Sequence, residues 1–101
     1  MEITGYESLN ELCDLIKGAD EGELMLTVRA LNELISRYLN AEIDSIELCE
    51  YASNVELRDE IDYELNNESK IATALFLLST PEINEELTEK SVHRIKEQLN
   101  T

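Results

Sequence analysis

Residues 71–78, IATALFLL, form the longest apolar stretch of this 101-residue chain, interrupted only by Thr73. A helix that is apolar on nearly every side is buried on nearly every side, as happens at the centre of a bundle. The stretch is far shorter than the roughly 20 residues needed to span a bilayer. We therefore predict that residues 71–78 are the central helix of a helical fold.

Signals for helix starts occur on both sides of this stretch. Ser8 and Glu11 have the spacing of a capping box, and Gly18 suits the end of a helix over roughly 8–17. Asp44 and Glu47 have the same spacing, with Ile43 and Leu48 placed to pack across the cap. Thr88 can cap a last helix whose buried stripe is Val92, Ile95 and Leu99.

The spacing of apolar residues predicts the remaining helices. One over 23–40 follows from a stripe with alternating spacings of four and three: Leu24, Val28, Leu31, Ile35 and Tyr38. Another is predicted from about 55 to 65, with Leu57, Ile61 and Leu65 facing inward. Thr80-Pro81 has the form of a cap followed by proline at the first helical position. We predict one all-α domain, 1–101, a bundle of five or six short helices around 71–78.

The charge of the chain is strongly negative and unevenly distributed. Twenty-three acidic residues face eight basic ones, a net charge of −15. Residues 41–69 alone hold ten acidic residues and one basic residue. Such a surface repels nucleic acid and anionic lipid, and it attracts basic proteins at long range. We therefore expect a basic protein partner, with no nucleic acid and no membrane.

Helical geometry at about 100° per residue predicts which side chains of this acidic segment form the binding surface. On the third helix, Ile46, Leu48, Cys49 and Ala52 share an inward arc, which leaves the acids and Tyr51 outside. Exposed tyrosines supply rigid contact area, and acids around them attract a cationic partner. The alternative is an ordinary solvated face. The predicted contact residues are Glu47, Glu50, Tyr51, Asn54, Glu56, Asp59, Asp62, Tyr63 and Asn66.

Residues suited to catalysis or metal binding are sparse. Cys13 and Cys49 are not in a Cys-x-x-Cys spacing, which favours two reduced thiols over a disulfide or a zinc site. His93 is the only histidine, and with Glu97 it forms an ordinary helical pair. We expect no enzyme and no cofactor. The first residues show no secretory signal, so we expect a cytoplasmic protein, and we favour a monomer.

Two alternatives remain open at this stage. Asp44-Ser45-Ile46 at a helix start resembles the Asp-Ser-Leu of acyl carrier proteins, in which Ser45 would hold a phosphopantetheine arm. The carrier pattern has glycine before the Asp-Ser pair, where this chain has Ile43, and the capping chemistry explains these residues without a prosthetic group. The stripe from Leu24 to Tyr38 would alternatively pair with another helix in a scaffold or adaptor protein.

A longer resemblance covers residues 31–99. The order LNELISRYLNAEIDSIELCEYAS, an acidic segment, KIATALFLLSTPEINEELT and VHRIKEQL is similar to small helical immunity proteins. These include the immunity proteins of contact-dependent growth inhibition systems and of the colicin D type. The shared features are a short loop after YLN, the pair Tyr51-Ala52 and the step Leu-x-x-Thr-Pro at 77–81. The resemblance implies a helical protein that neutralises a toxin made by the same bacterium, often a basic nuclease.

Overall fold

The computed structural model describes residues 1–101, which form a mostly helical fold with a small parallel sheet. The two strands are β1, Leu24–Leu26, and β2, Ile61–Tyr63. The helices are α1, Leu9–Lys17; α2, Val28–Leu39; α3, Ser45–Val55; α4, Glu68–Ser79; and α5, Glu89–Leu99. The predicted helical character is confirmed, but the prediction of a purely α-helical fold is wrong because of the sheet.

Capping side chains begin three of the helices where the sequence predicts. Ser8 Oγ accepts the Glu11 N–H at 3.1 Å to begin α1, and Asp44 Oδ1 accepts the Glu47 N–H at 2.8 Å to begin α3. Thr88 Oγ1 accepts the N–H of Ser91 at 3.1 Å to begin α5. Each cap satisfies a backbone donor that the helix leaves open, which stabilises a helix by about 1 kcal/mol.

The apolar helix α4 packs mainly between α3 and α5. Its residues Ile71, Ala74, Leu75 and Leu78 belong to a single core cluster of 23 buried residues. Phe76, with Ala72 and Thr73, lies on an exposed side, so the prediction that this helix is buried all round is wrong. None of the five helices combines the length and the apolar character needed to cross a membrane.

The predicted helix over 23–40 begins five residues late, at Val28, because residues 24–26 form a strand. Leu24 and Leu26 are buried while Met25 between them is only half-buried, an alternation with the period of a strand. Thr27 Oγ1 then accepts the Ala30 N–H at 3.1 Å and caps α2. The N-terminal part of the stripe therefore belongs to β1.

The predicted helix from 55 to 65 does not form. Leu57 has a φ of +57°, in the left-handed region, so a right-handed helix cannot continue through it. Ile61 is buried as predicted, but it lies in β2. Leu57 and Leu65, predicted to face inward, are 90% and 74% exposed.

Two smaller predictions also fail. Ile46 is 66% exposed instead of facing the core, because the buried face of α3 is rotated toward Tyr51 and consists of Leu48, Tyr51, Ala52 and Val55. Thr80-Pro81 begins a turn instead of a helix, and the next helix, α5, begins only at Glu89. The Thr80 hydroxyl donates to the Phe76 carbonyl at 2.5 Å, which ends α4.

The sheet brings distant parts of the chain into register. β1 pairs in parallel with β2, with Leu24 opposite Ile61 and Met25 opposite Asp62. Parallel strands need a crossover connection, which α2 and α3 provide. On the other edge of β1, the Met25 N–H donates to the Met1 carbonyl at 2.8 Å, and the Ile3 N–H donates to the Met25 carbonyl at 2.9 Å. Segment 1–3, β1 and β2 therefore lie side by side in that order.

Candidate binding surface

Pairing of β1 with β2 joins two acidic loops that are far apart in sequence. The Gly22 N–H donates to the Asp59 carbonyl at 2.9 Å, and the Leu24 N–H donates to the Glu60 carbonyl at 3.0 Å. A Cβ on Gly22 would lie 3.1 Å from Asp62 Oδ2, so the loops touch. We name as the acidic loop pair the six carboxylates carried here: Asp20, Glu21, Glu23, Asp59, Glu60 and Asp62.

The outer face of the sheet extends this negative surface. Because side chains alternate along a strand, Met25 and Asp62 point away from the core, and Glu2 lies beside Met25. Glu64 lies two residues beyond Asp62, and its Oε1 accepts the Val28 N–H at 3.0 Å at the start of α2. That carboxylate therefore has a structural partner, while Glu2 and Asp62 have none.

The acids of this surface are not neutralised within the chain. The single salt bridge of the protein joins Arg94 to Glu85 at 2.5 Å. Arg58 is the one basic side chain of segment 41–69, and its Nε donates to the Asn54 carbonyl at 3.0 Å. The Met1 ammonium also donates to the Glu23 carbonyl at 3.2 Å. With six carboxylates against these two positive charges, the acidic loop pair keeps a net negative field, which attracts cationic groups and raises their association rate.

Two exposed leucines border the acidic loop pair. Leu57 lies before β2 and Leu65 after it, both mostly exposed. The Leu57 N–H meets Tyr63 Oη at 3.5 Å, which places Leu57 at the tip of the half-buried Tyr63. A left-handed backbone costs a non-glycine residue roughly 1–2 kcal/mol, and Leu57 offsets none of that cost by burial. This is apolar contact area that the fold itself does not use.

The predicted contact residues do not form one surface. Tyr51, predicted to be exposed, is 3% exposed because α1 and the segment before it cover that face of α3. Asn54 also faces α1, and its Oδ1 accepts from Cys13 Sγ at 3.7 Å. The prediction of an outward face holding Tyr51 and Asn54 is therefore wrong. Its physical reason is a tertiary contact with α1.

The other predicted contact residues fall into separate groups. Glu47 and Glu50 are exposed on α3, where Glu47 also completes the helix cap. Glu56 Oε1 accepts the Ser79 hydroxyl at 2.7 Å and so has a structural partner. The exposed members that lie at or next to β2 are Asp59, Asp62 and Asn66, with Tyr63 half-buried among them.

The Tyr51 hydroxyl takes part in a structural network instead. It donates to Glu7 Oε1 at 2.6 Å, and the Glu7 carboxylate also accepts the N–H groups of Thr4 and Gly5. Burial by itself would raise the pKa of Glu7, but these hydrogen bonds outweigh it and hold the pKa below its usual value. Burial, then the hydrogen bond to Glu7 and its negative charge, raise the pKa of Tyr51 well above 10.

Replacing Tyr51 by phenylalanine is expected to lower the free energy of unfolding by about 1–2 kcal/mol, because the half-buried Glu7 carboxylate loses one donor. The raised pKa of Tyr51 contributes stability that is complete below pH 10 and is lost as the pH rises above it. The difference between parent and Tyr51→Phe should therefore shrink above pH 10. Urea unfolding at pH 7 and at alkaline pH measures both effects.

Tyr6→Phe is the matched control, because the exposed Tyr6 hydroxyl donates to Glu33 and is likewise a tyrosine–glutamate pair. Its loss should be much smaller than that of Tyr51→Phe, since water replaces an exposed hydrogen bond. Equal losses for the two variants would show that the Tyr51 hydroxyl has no special structural role.

Sequence reasoning missed the half of the acidic loop pair that precedes β1. Asp20, Glu21 and Glu23 flank Gly22, which has a φ of +70°. A glycine between acids and ahead of an apolar alternation is a turn signal that could have marked a strand there. Nothing local indicated that this turn lies beside Asp59.

Other candidate groups are placed as follows. Cys13 and Cys49 are half-buried free thiols, and burial raises the pKa of Cys49. No group of three His, Cys, Asp or Glu side chains is arranged to hold a metal ion, and His93 is exposed.

Ser45, the residue of the carrier alternative, is half-buried at the first position of α3. Leu31 and Ile35 are fully buried in the core, so the stripe proposed for an adaptor is already used within the chain.

Comparison of the chain with protein-family models, with curated protein sequences and with solved structures found no match.

Proposed function

We propose that this protein is a cytoplasmic immunity protein that binds and neutralises a basic toxin domain, a nuclease, through the acidic loop pair. The observation that carries the proposal is the concentration of carboxylates without a salt bridge on two loops that meet at the sheet. The resemblance of residues 31–99 to helical immunity proteins agrees with it.

Charge complementarity explains why such a surface suits an inhibitor of a nuclease. A nuclease must bind a polyanionic substrate, so its substrate-binding surface is basic. An acidic inhibitor is attracted to that same surface, and complementary fields can raise association from roughly 10⁵–10⁶ to 10⁸–10⁹ M⁻¹s⁻¹ at low salt. Speed is important for an antidote, because the toxin acts as soon as it is free in the cell.

Apolar contacts must supply most of the affinity for the partner. Exposed charges at the rim of an interface mainly change the association rate, whereas buried apolar side chains at its centre slow dissociation. Leu57 and Leu65 are the exposed apolar side chains nearest to the acidic loop pair in sequence. We assign to them the anchoring role that the sequence had suggested for Tyr51 and Tyr63.

The test is a growth experiment with the C-terminal domain of the protein encoded immediately upstream. Expression of that domain alone should arrest bacterial growth, and co-expression of this protein should restore it. A variant with Asp20→Asn, Glu21→Gln, Asp59→Asn and Asp62→Asn should restore growth less well than the parent at equal expression. Arrest that this protein fails to relieve would refute the pairing with that toxin domain.

A further inference from the structure

The outer edge of β2 has backbone groups without partners. In a parallel ladder, alternate residues direct their peptide groups to opposite edges. The Leu24 N–H donates to the Glu60 carbonyl at 3.0 Å, and the Glu64 N–H donates to the Leu26 carbonyl at 2.9 Å, so residues 60, 62 and 64 face β1. The Ile61 carbonyl and both the N–H and carbonyl of Tyr63 therefore face away from β1. No hydrogen bond within the chain engages these three groups.

We infer that an extended basic segment of the partner protein adds to this edge of β2 as a further strand of the sheet. The inference rests on the proposed function and specifies how the partner is held. Strand addition uses main-chain hydrogen bonds for affinity and alternate side chains for specificity. Unpaired edges of this kind are templates for pairing unless the chain covers or blocks them.

The two faces of the sheet define the sequence pattern of the added strand. On the outer face, side chains of the added strand would lie beside Asp62 and Glu60, which are two residues apart and therefore share that face. On the opposite face, they would lie beside Tyr63 and the exposed Leu57 at its tip. The segment should therefore alternate lysine or arginine with apolar residues.

Charge decides between a partner protein and a second copy of this chain. Antiparallel pairing of two β2 edges would bring Asp59, Glu60 and Asp62 of one copy next to the same carboxylates of the other. Like charges opposite each other in a sheet are destabilising, and Arg58, the one basic side chain of the loop before β2, is outnumbered by these three carboxylates. A cationic strand meets the same carboxylates with favourable charge.

The experiment uses the full chain labelled with ¹⁵N and a capped nine-residue peptide of alternating lysine and valine. On binding, hydrogen exchange of the Tyr63 amide should slow by about tenfold or more, because that N–H gains an acceptor. Two versions of the peptide, one N-methylated at every valine and one at every lysine, keep all the charges and each lose the donors of one edge. The version that loses the donors facing β2 should bind about tenfold more weakly than the other.

Two chain variants test the location. Asp62→Lys and Glu50→Lys change the net charge equally, but Glu50 lies on α3 and Asp62 lies in β2. Asp62→Lys should weaken peptide binding far more than Glu50→Lys. Equal weakening, or binding without protection of Tyr63, would overturn strand addition while leaving an acidic binding surface intact. Absence of peptide binding, or a dimer of this chain paired through β2, would overturn it as well.

The peptide experiment and the growth experiment test different claims, and either can fail while the other succeeds. Growth rescue by this protein together with an unprotected Tyr63 amide would retain the proposed function and reject strand addition. Protection of Tyr63 by the peptide without any growth rescue would retain the edge as a binding site and reject the toxin domain as its partner.

Discussion

Replacing Gly5 by alanine is expected to lower the free energy of unfolding by about 2–5 kcal/mol, from backbone strain together with overpacking. Gly5 has a φ of +88°, and a Cβ there would lie 2.2 Å from the Ala30 carbonyl oxygen. That oxygen belongs to the backbone of α2 and cannot rotate away as a side chain could. Total stabilities are usually 5–15 kcal/mol, so the loss would be a large part of the whole.

Movement of Gly5 would also disturb the network around Glu7. The Gly5 carbonyl accepts from Arg37 Nη1 at 2.8 Å, and its N–H donates to Glu7 Oε1 at 3.0 Å. These bonds connect the N-terminal segment to α2 and, through Tyr51, to α3. Relief of the clash by a backbone shift therefore breaks other contacts.

Gly18→Ala is the control for the change in Gly5. Gly18 has a φ of −89°, and the nearest atom to a Cβ there is the Asp14 carbonyl oxygen at an ordinary 3.5 Å. We expect its stability to stay within about 1 kcal/mol of the parent. Urea unfolding followed by circular dichroism compares the variants, and a Gly5→Ala protein as stable as Gly18→Ala would contradict the account.

Helix starts could be predicted from the sequence because their chemistry is local. In a capping box such as Ser8 with Glu11, or Asp44 with Glu47, the side chain of each residue accepts the backbone N–H of the other. These hydrogen bonds form within one turn and do not depend on the rest of the chain. The strands could not be predicted in the same way. Three residues of alternation do not distinguish a strand from part of a helical stripe, and Leu24–Leu26 becomes a strand only because Ile61–Tyr63 pairs with it.

The candidate binding surface was predictable in its charge but not in its shape. Composition located the acids of segment 41–69 and therefore Asp59 and Asp62. Tyr51 was misplaced because its exposure depends on α1 and on the hydroxyl contact with Glu7, which is distant in sequence. Asp20 and Glu21 were missed for the same reason, since only the pairing of β1 with β2 brings them to Asp59.

Removing four charges from the acidic loop pair is expected to slow association with the proposed toxin partner roughly 10- to 100-fold at about 0.1 M salt. The variant carries Asp20→Asn, Glu21→Gln, Asp59→Asn and Asp62→Asn. All four residues are exposed, and none of the side chains makes a hydrogen bond or a salt bridge, so the fold should be unaffected. Removing carboxylates that repel one another should, if anything, stabilise the folded chain.

The control variant removes four exposed and equally unbonded charges elsewhere: Asp14→Asn, Glu82→Gln, Glu86→Gln and Glu97→Gln. Both variants have the same net charge, but at 0.1 M salt the field of a charge is screened over about 10 Å. Position should therefore decide the effect, and the control should associate nearly as fast as the parent. Stopped-flow association rates measured from low to 1 M salt should converge for all three proteins as screening removes the steering. A control that slows as much as the test variant would show that net charge alone drives the encounter, and that the toxin does not approach the paired loops at β1 and β2.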